Sequence, residues 1–90
     1  MNPEDFKILL VDDEPDILEI ISYSLKNAGY NVYTAKNGIQ AVKQAEKIEP
    51  HLIILDVMMP EMDGIEACEI IRKIQKIKHT LITFLSARGE

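Results

Sequence analysis

Carboxylates follow two of the chain's apolar runs with no spacer between. Leu9-Leu10-Val11 leads straight into Asp12, Asp13 and Glu14, and Ile53-Ile54-Leu55 ends in Asp56. A further run, Leu81 to Leu85, ends at the hydroxyl of Ser86. If these runs are neighbouring strands, three or four acids converge at one sheet edge, where they repel one another unless a cation joins them. An all-oxygen donor set suits Mg²⁺, which keeps several waters and accepts one or two carboxylates plus phosphate oxygens. A carboxylate held at such an ion can act as a nucleophile toward phosphorus, giving an acyl phosphate. A hydroxyl such as Ser86 can donate to one oxygen of the transferring group. Taken singly, the same residues read more plainly: an aspartate at a strand end is often a helix cap, and Glu14 and Asp16 complement a helix dipole. The conjunction of an Asp pair after one strand and a lone Asp after another points to a metal site.

The elements that must gather these groups are legible in the pattern. Ile8–Val11, Val32–Ala35, Leu52–Leu55 and Leu81–Leu85 are short, nearly continuous apolar runs, as expected of parallel strands covered on both faces. Between the first two, Ile17, Leu18, Ile21 and Leu25 recur at helical spacing; Ile39, Val42, Ala45 and Ile48 follow the second run. Ile65, Cys68 and Ile71, continued by Ile74 and Ile77, follow the third. Pro15 suits a first helical turn, with Asp13 or Glu14 as its cap. Gly29 suits a left-handed helix end, Asn37-Gly38 and Asp63-Gly64 open helices, and Glu49-Pro50 closes one. The expectation is βαβαβαβ, an open doubly wound α/β sheet, in which ligands bind beyond the carboxyl ends of the strands.

Composition narrows the function. Ninety residues suit one domain, and 47% hydrophobic residues argue against a disordered tail. A net charge of −5 gives no electrostatic footprint for nucleic acid and disfavours an anionic membrane surface. A single cysteine and the lack of an apolar leader lead us to expect a reduced, cytoplasmic chain, and no run is long enough to span a bilayer.

Leu10-Val11-Asp12-Asp13-Glu14, the segment from Leu55-Asp56-Val57-Met58-Met59-Pro60 to Glu61-Met62-Asp63-Gly64, and Leu85-Ser86-Ala87 resemble the receiver domain of two-component response regulators. The likeness runs in order and with matching spacing from Lys7 to Ala87. It implies a flavodoxin-like doubly wound parallel sheet in the order 2-1-3-4 and a receiver domain over residues 1–90. It further implies that Asp56 accepts the phosphoryl group. Asp13 then binds Mg²⁺ directly, Asp12 acts on it through water, and the backbone carbonyl of Met58 is the third protein ligand. Ser86 matches the switch hydroxyl and Ala87 the small residue behind it. Met58 and Arg88 occupy positions that influence loss of the phosphoryl group, and an apolar Met58 would hinder the attacking water. The implied partner is a sensor histidine kinase, and the implied activity is that of a regulatory phospho-acceptor rather than an enzyme.

The family continues with a fourth helix, a fifth strand ending in Lys-Pro and a fifth helix, none of which is in this sequence. The expectation is therefore a receiver domain incomplete at its C-terminus, self-associating through an exposed fourth-strand edge. Two other readings compete. One is a Mg²⁺-dependent phosphatase or phosphotransferase with an aspartyl-phosphate intermediate, for which Asp12 and Glu14 have the two-residue spacing but Pro15 follows at once. The other is a degenerate interaction module that has lost the chemistry. His51 and His79 lack partners at ligand spacing and read as loop or edge residues. Cys68 reads as a small core residue. Lys73, Lys76 and Lys78 read as a solvated helix end.

Overall fold

A computed structural model describes residues 2–85. Four five-residue strands form one parallel sheet: β1 (Lys7–Val11), β2 (Asn31–Ala35), β3 (Leu52–Asp56) and β4 (Leu81–Leu85). Between them lie α1 (Pro15–Asn27), α2 (Gly38–Ile48) and α3 (Gly64–Arg72). The strand order is β2-β1-β3-β4, as the sequence led us to expect. From β1 the chain moves outward to β2, then returns across β1 to β3. The direction of winding therefore reverses between β1 and β3, which makes their carboxyl ends the binding crevice of such a sheet.

Alternate residues of each strand face opposite layers. Leu9, Val11, Ile53 and Leu55 join Ala41 and Ala45 of α2 and Ala67 and Ile71 of α3 in one buried cluster. Ile8 and Leu10 point the other way, on the side where α1 packs through Leu18. Of the inner strands, β1 matches the expectation of cover on both faces, whereas in β3 Leu52 and Ile54 are only half-buried opposite the buried Ile53 and Leu55; the outer two do not match it. In β2 only Ala35 is buried, and in β4 Leu81 and Phe84 are exposed, because each is an outer strand among the described residues.

Two helical stripes also need correction. Ile39 and Ile65 are exposed; Ala45 and Ile71 are buried as the stripes implied, and Gly38, Ala41, Gly64 and Ala67 complete the buried faces of α2 and α3. Small residues let these helices lie close to each other and to the sheet. The third helix is shorter than its apolar stripe implied. It ends at Arg72, Ile74 is extended (φ −82°, ψ 113°), and Gln75–Ile77 form a 3₁₀ turn that returns Ile77 to the core.

The ends of the elements are individually anchored. Asn37 and Asp63 cap α2 and α3 by accepting from the backbone N–H groups of Gln40 and Glu66, each at 2.8 Å. Glu14 precedes α1 without a side-chain cap bond. His51, expected to be an unremarkable loop residue, ties three strands at the foot of the sheet. Its Nδ1 accepts from the Lys7 N–H at 3.0 Å, its own N–H donates to the Lys7 carbonyl at 2.9 Å, and its carbonyl accepts from Leu81 at 3.1 Å. Thr80 Oγ1 donates to the Pro50 carbonyl at 2.8 Å, and Arg72 donates to the Lys78 and Thr80 carbonyls, which fixes the approach to β4.

At the end of α1, Gly29 has φ +98° and donates to the Lys26 carbonyl, while Tyr30 donates to that of Leu25, the paired bonds of a Schellman motif. A Cβ there would meet only Pro3 Cβ at an ordinary 3.5 Å, so the cost of a side chain is conformational. Gly29→Ala is expected to lower stability by about 1 kcal/mol, read as a lower urea midpoint at unchanged slope.

Candidate functional site

Strand register builds the site. Val11 pairs with Leu55 across β1 and β3, so the next residue of each strand, Asp12 and Asp56, emerges at the same level of the sheet edge. Asp12 is held further by its N–H, which donates to the Ala35 carbonyl of β2 at 3.2 Å. Asp12 and Asp56 are each 1% exposed, and Asp13 is half-buried on the solvent side. One carboxylate oxygen from each of Asp12, Asp13 and Asp56 lies within 4.8 Å of the others. The sequence expectation that these acids meet is thus a fact of the fold. Ser86, Ala87 and Arg88 lie outside the described residues.

Two short hydrogen bonds orient the buried pair. Asp12 Oδ1 accepts from the Glu14 N–H at 2.8 Å, which turns the chain into α1. Asp56 Oδ1 accepts from the Met58 N–H at 3.2 Å, which starts the loop from Val57 to Asp63. Met58 is 62% exposed, in contrast to the buried Met59 beside it. Beside the cluster, an open cleft of about 240 Å³ runs between α1 and the end of β2, lined by Asp12, Asp13, Pro15, Ser22 and Lys36 among others. Asp13 therefore sits where solvent and a ligand can reach it.

The loop itself is tightly packed, which the sequence did not reveal. Gly64 N–H donates to the Val57 carbonyl at 3.0 Å, and a Cβ on Gly64 would collide with the Asp56 carbonyl and lie 2.9 Å from Val57 Cα. Met59 is buried in the core. Glu61 has φ +68° at the centre of a three-residue turn in which Met62 N–H donates to the Pro60 carbonyl at 2.8 Å. A γ-turn of that hand is rare and strained. The Asp63-Gly64 pair signals a helix start, but nothing in the spacing announces that Gly64 is also the contact against the back of Asp56.

Oxygen donors alone, gathered this closely and partly open to solvent, fit a hard divalent cation. Residues 8–90 match the model of the response regulator receiver domain. This chain belongs to that family. Receiver domains are regulatory phospho-acceptors that work with histidine kinases and bind Mg²⁺ in their acidic pocket. The phosphatase and degenerate-module readings are not favoured by this membership.

Over 84 residues, 93% of this chain, it is 46% identical to the alkaline phosphatase synthesis transcriptional regulatory protein PhoP of Bacillus subtilis. The match covers 34% of that protein, so the chain spans about a third of the length of this curated relative. Among solved structures, chemotaxis response regulator CheY4 of Vibrio cholerae superposes with TM-score 0.87 at 38% identity, covering 94% of this chain and 71% of that one. The receiver domain of sensor histidine kinase PA1611 from Pseudomonas aeruginosa, solved with a magnesium ion coordinated in its active site cleft, gives TM-score 0.87 at 34% identity. That alignment covers 93% of this chain and 69% of that one. No helix among the described residues of this receiver domain is long and apolar enough to cross a membrane.

Carboxylates crowded within 4.8 Å of one another are expected to repel in the metal-free protein. Asp13→Asn removes one negative charge from the solvent side of the cluster and is expected to raise stability by about 1 kcal/mol, a solvent-screened repulsion. Urea unfolding in chelator checks this; a variant less stable than the parent would contradict it.

Proposed function

We propose that this receiver domain is a phosphorelay switch that accepts a phosphoryl group on Asp56 from a sensor histidine kinase, in a reaction that depends on Mg²⁺. The observation that carries the reading is the convergence of Asp12, Asp13 and Asp56 at the β1–β3 crevice. Asp13 and Asp56, with the Met58 carbonyl, would hold the ion directly, and Asp12 would act through a bound water. When bound, Mg²⁺ supplies positive charge that offsets the oxygens of the transferring group.

The chain's own residues account for the rest. A carboxylate oxygen of Asp56 forms the new P–O bond as the donor's P–N bond breaks, and the departing imidazole takes a proton from solvent. Asp56 is suited to this because the Met58 N–H fixes one of its oxygens and Gly64 backs its main chain. Such preorganisation replaces the positional freedom the reactants would otherwise lose. Ser86 is assigned the hydroxyl that closes on the phosphoryl group, and its movement would convert a local charge into a shifted conformational equilibrium. The carboxylate reacts in the reducing cytoplasm, where its donor resides. The exposed Leu81 and Phe84 of β4 support self-association of the isolated chain.

Incubation with Mg²⁺ and a small phosphodonor such as acetyl phosphate is expected to add a single phosphoryl group by mass. Asp56→Asn should abolish the addition; equal labelling of that variant would overturn the assignment. Metal dependence has its own readout. Mg²⁺ at a hundredfold excess over its Kd should stabilise the parent by about 2.7 kcal/mol, and Asp13→Asn should lose most of that gain.

A further inference from the structure

We propose that Gly38, the first residue of α2, is a positioning residue of the aspartate pocket: it is the seat on which the loop from Val57 to Asp63 rests. The inference deepens the phospho-acceptor reading and rests on it. The atoms nearest to a side chain at Gly38 belong to Met62 rather than to a carboxylate. It is buried because Met62 lies directly over it. A Cβ at Gly38 would sit 2.6 Å from the Met62 carbonyl oxygen and 2.8 and 2.9 Å from its Cγ and Cβ. Real Cβ atoms do not approach backbone oxygen so closely, and a backbone atom cannot swing aside as a side-chain tip can. A methyl group at Gly38 must therefore push the loop.

The loop has little freedom to absorb such a push. Met59 is buried in the core on one side, and Met62 packs against the same core on the other. Between them Glu61 is held at φ +68°, a strained conformation that persists only where the surroundings enforce it. Contact between Met62 and Gly38 is part of that enforcement. At the near end, the loop is joined to the phospho-acceptor by the Met58 N–H to Asp56 Oδ1 bond; at the far end, Gly64 presses on the Asp56 main chain. Displacement at Met62 thus passes through a short, packed path to Met58 and Asp56. The Asn37-Gly38 pair serves two purposes: Asn37 caps α2, and Gly38 leaves room for the loop that shapes the pocket.

The test compares Gly38→Ala with Gly29→Ala, the same chemical change at the opposite end of the sheet, where only backbone strain is introduced. Three quantities are read in each: Mg²⁺ affinity by titration, urea stability, and backbone amide shifts. Gly38→Ala is expected to weaken Mg²⁺ binding about tenfold or more, the scale of losses when a group that orients metal ligands is disturbed. Its amide shifts should concentrate at Asp56, Met58 and Met62. Gly29→Ala should lose stability while keeping the parent's affinity and pocket shifts. Parent-like affinity in a folded Gly38→Ala, or losses matched by Gly29→Ala, would overturn the proposal.

Should Gly38→Ala fail to fold, Met62→Ala removes the Met62 Cγ that also rests on Gly38, without overfilling the contact. A smaller loss of affinity with shifts at Met58 supports the seat; none at all refutes it. If the parent itself neither binds Mg²⁺ nor takes a phosphoryl group, the phospho-acceptor reading falls. The amide shifts at Asp56 and Met58 still decide whether Gly38 positions that loop.

Discussion

Three carboxylates within 4.8 Å of one another do not gather spontaneously. At such separations each like-charged pair costs about 1–4 kcal/mol, depending on how well solvent screens it. What opposes that cost is the burial of the two inner strands. Leu9, Leu10, Val11, Ile53 and Leu55 are wholly excluded from solvent, and each such side chain contributes roughly 1.5–3 kcal/mol. The apolar register that pairs Val11 with Leu55 and the acidic cluster above it are consequences of the same alignment. A shift of one residue in that register would turn the buried side chains toward the wrong layers and separate Asp12 from Asp56.

The pocket therefore has a rigid half and a shaped half. Asp12 and Asp56 belong to the strand ends and inherit their precision from the sheet. The loop after Asp56 gains its shape differently, from a buried Met59, a strained Glu61 and two glycines that allow close approach on either side. The crevice thus has both kinds of support. Strands fix where the carboxylates start; packed loop residues fix what faces them.

Family membership agrees with this division. The relatives share the sheet and its topology at identities of only 32–38% with TM-scores of 0.85–0.87, as expected if burial pattern and register, rather than particular side chains, specify the scaffold.

The sequence alone determined the order and type of the elements, the doubly wound parallel sheet and the acids at its edge. These are readable because burial on both faces leaves continuous apolar runs, because caps and turns have local chemistry, and because the Asp56 to Gly64 segment resembles a known motif. Tertiary structure decided the rest. Hydrophobicity could not show that Ile39 and Ile65 face solvent while Ala41 and Ala67 are buried, since close helix packing favours small residues over large ones. Nor could it place the end of α3 at Arg72, because Ile74 and Ile77 still reach the core through a 3₁₀ turn. His51 gained its role only when β1 and β4 lay beside it. The contact of Gly38 with Met62 joins residues distant in the chain through a missing side chain, and an absence of atoms leaves no periodicity to read.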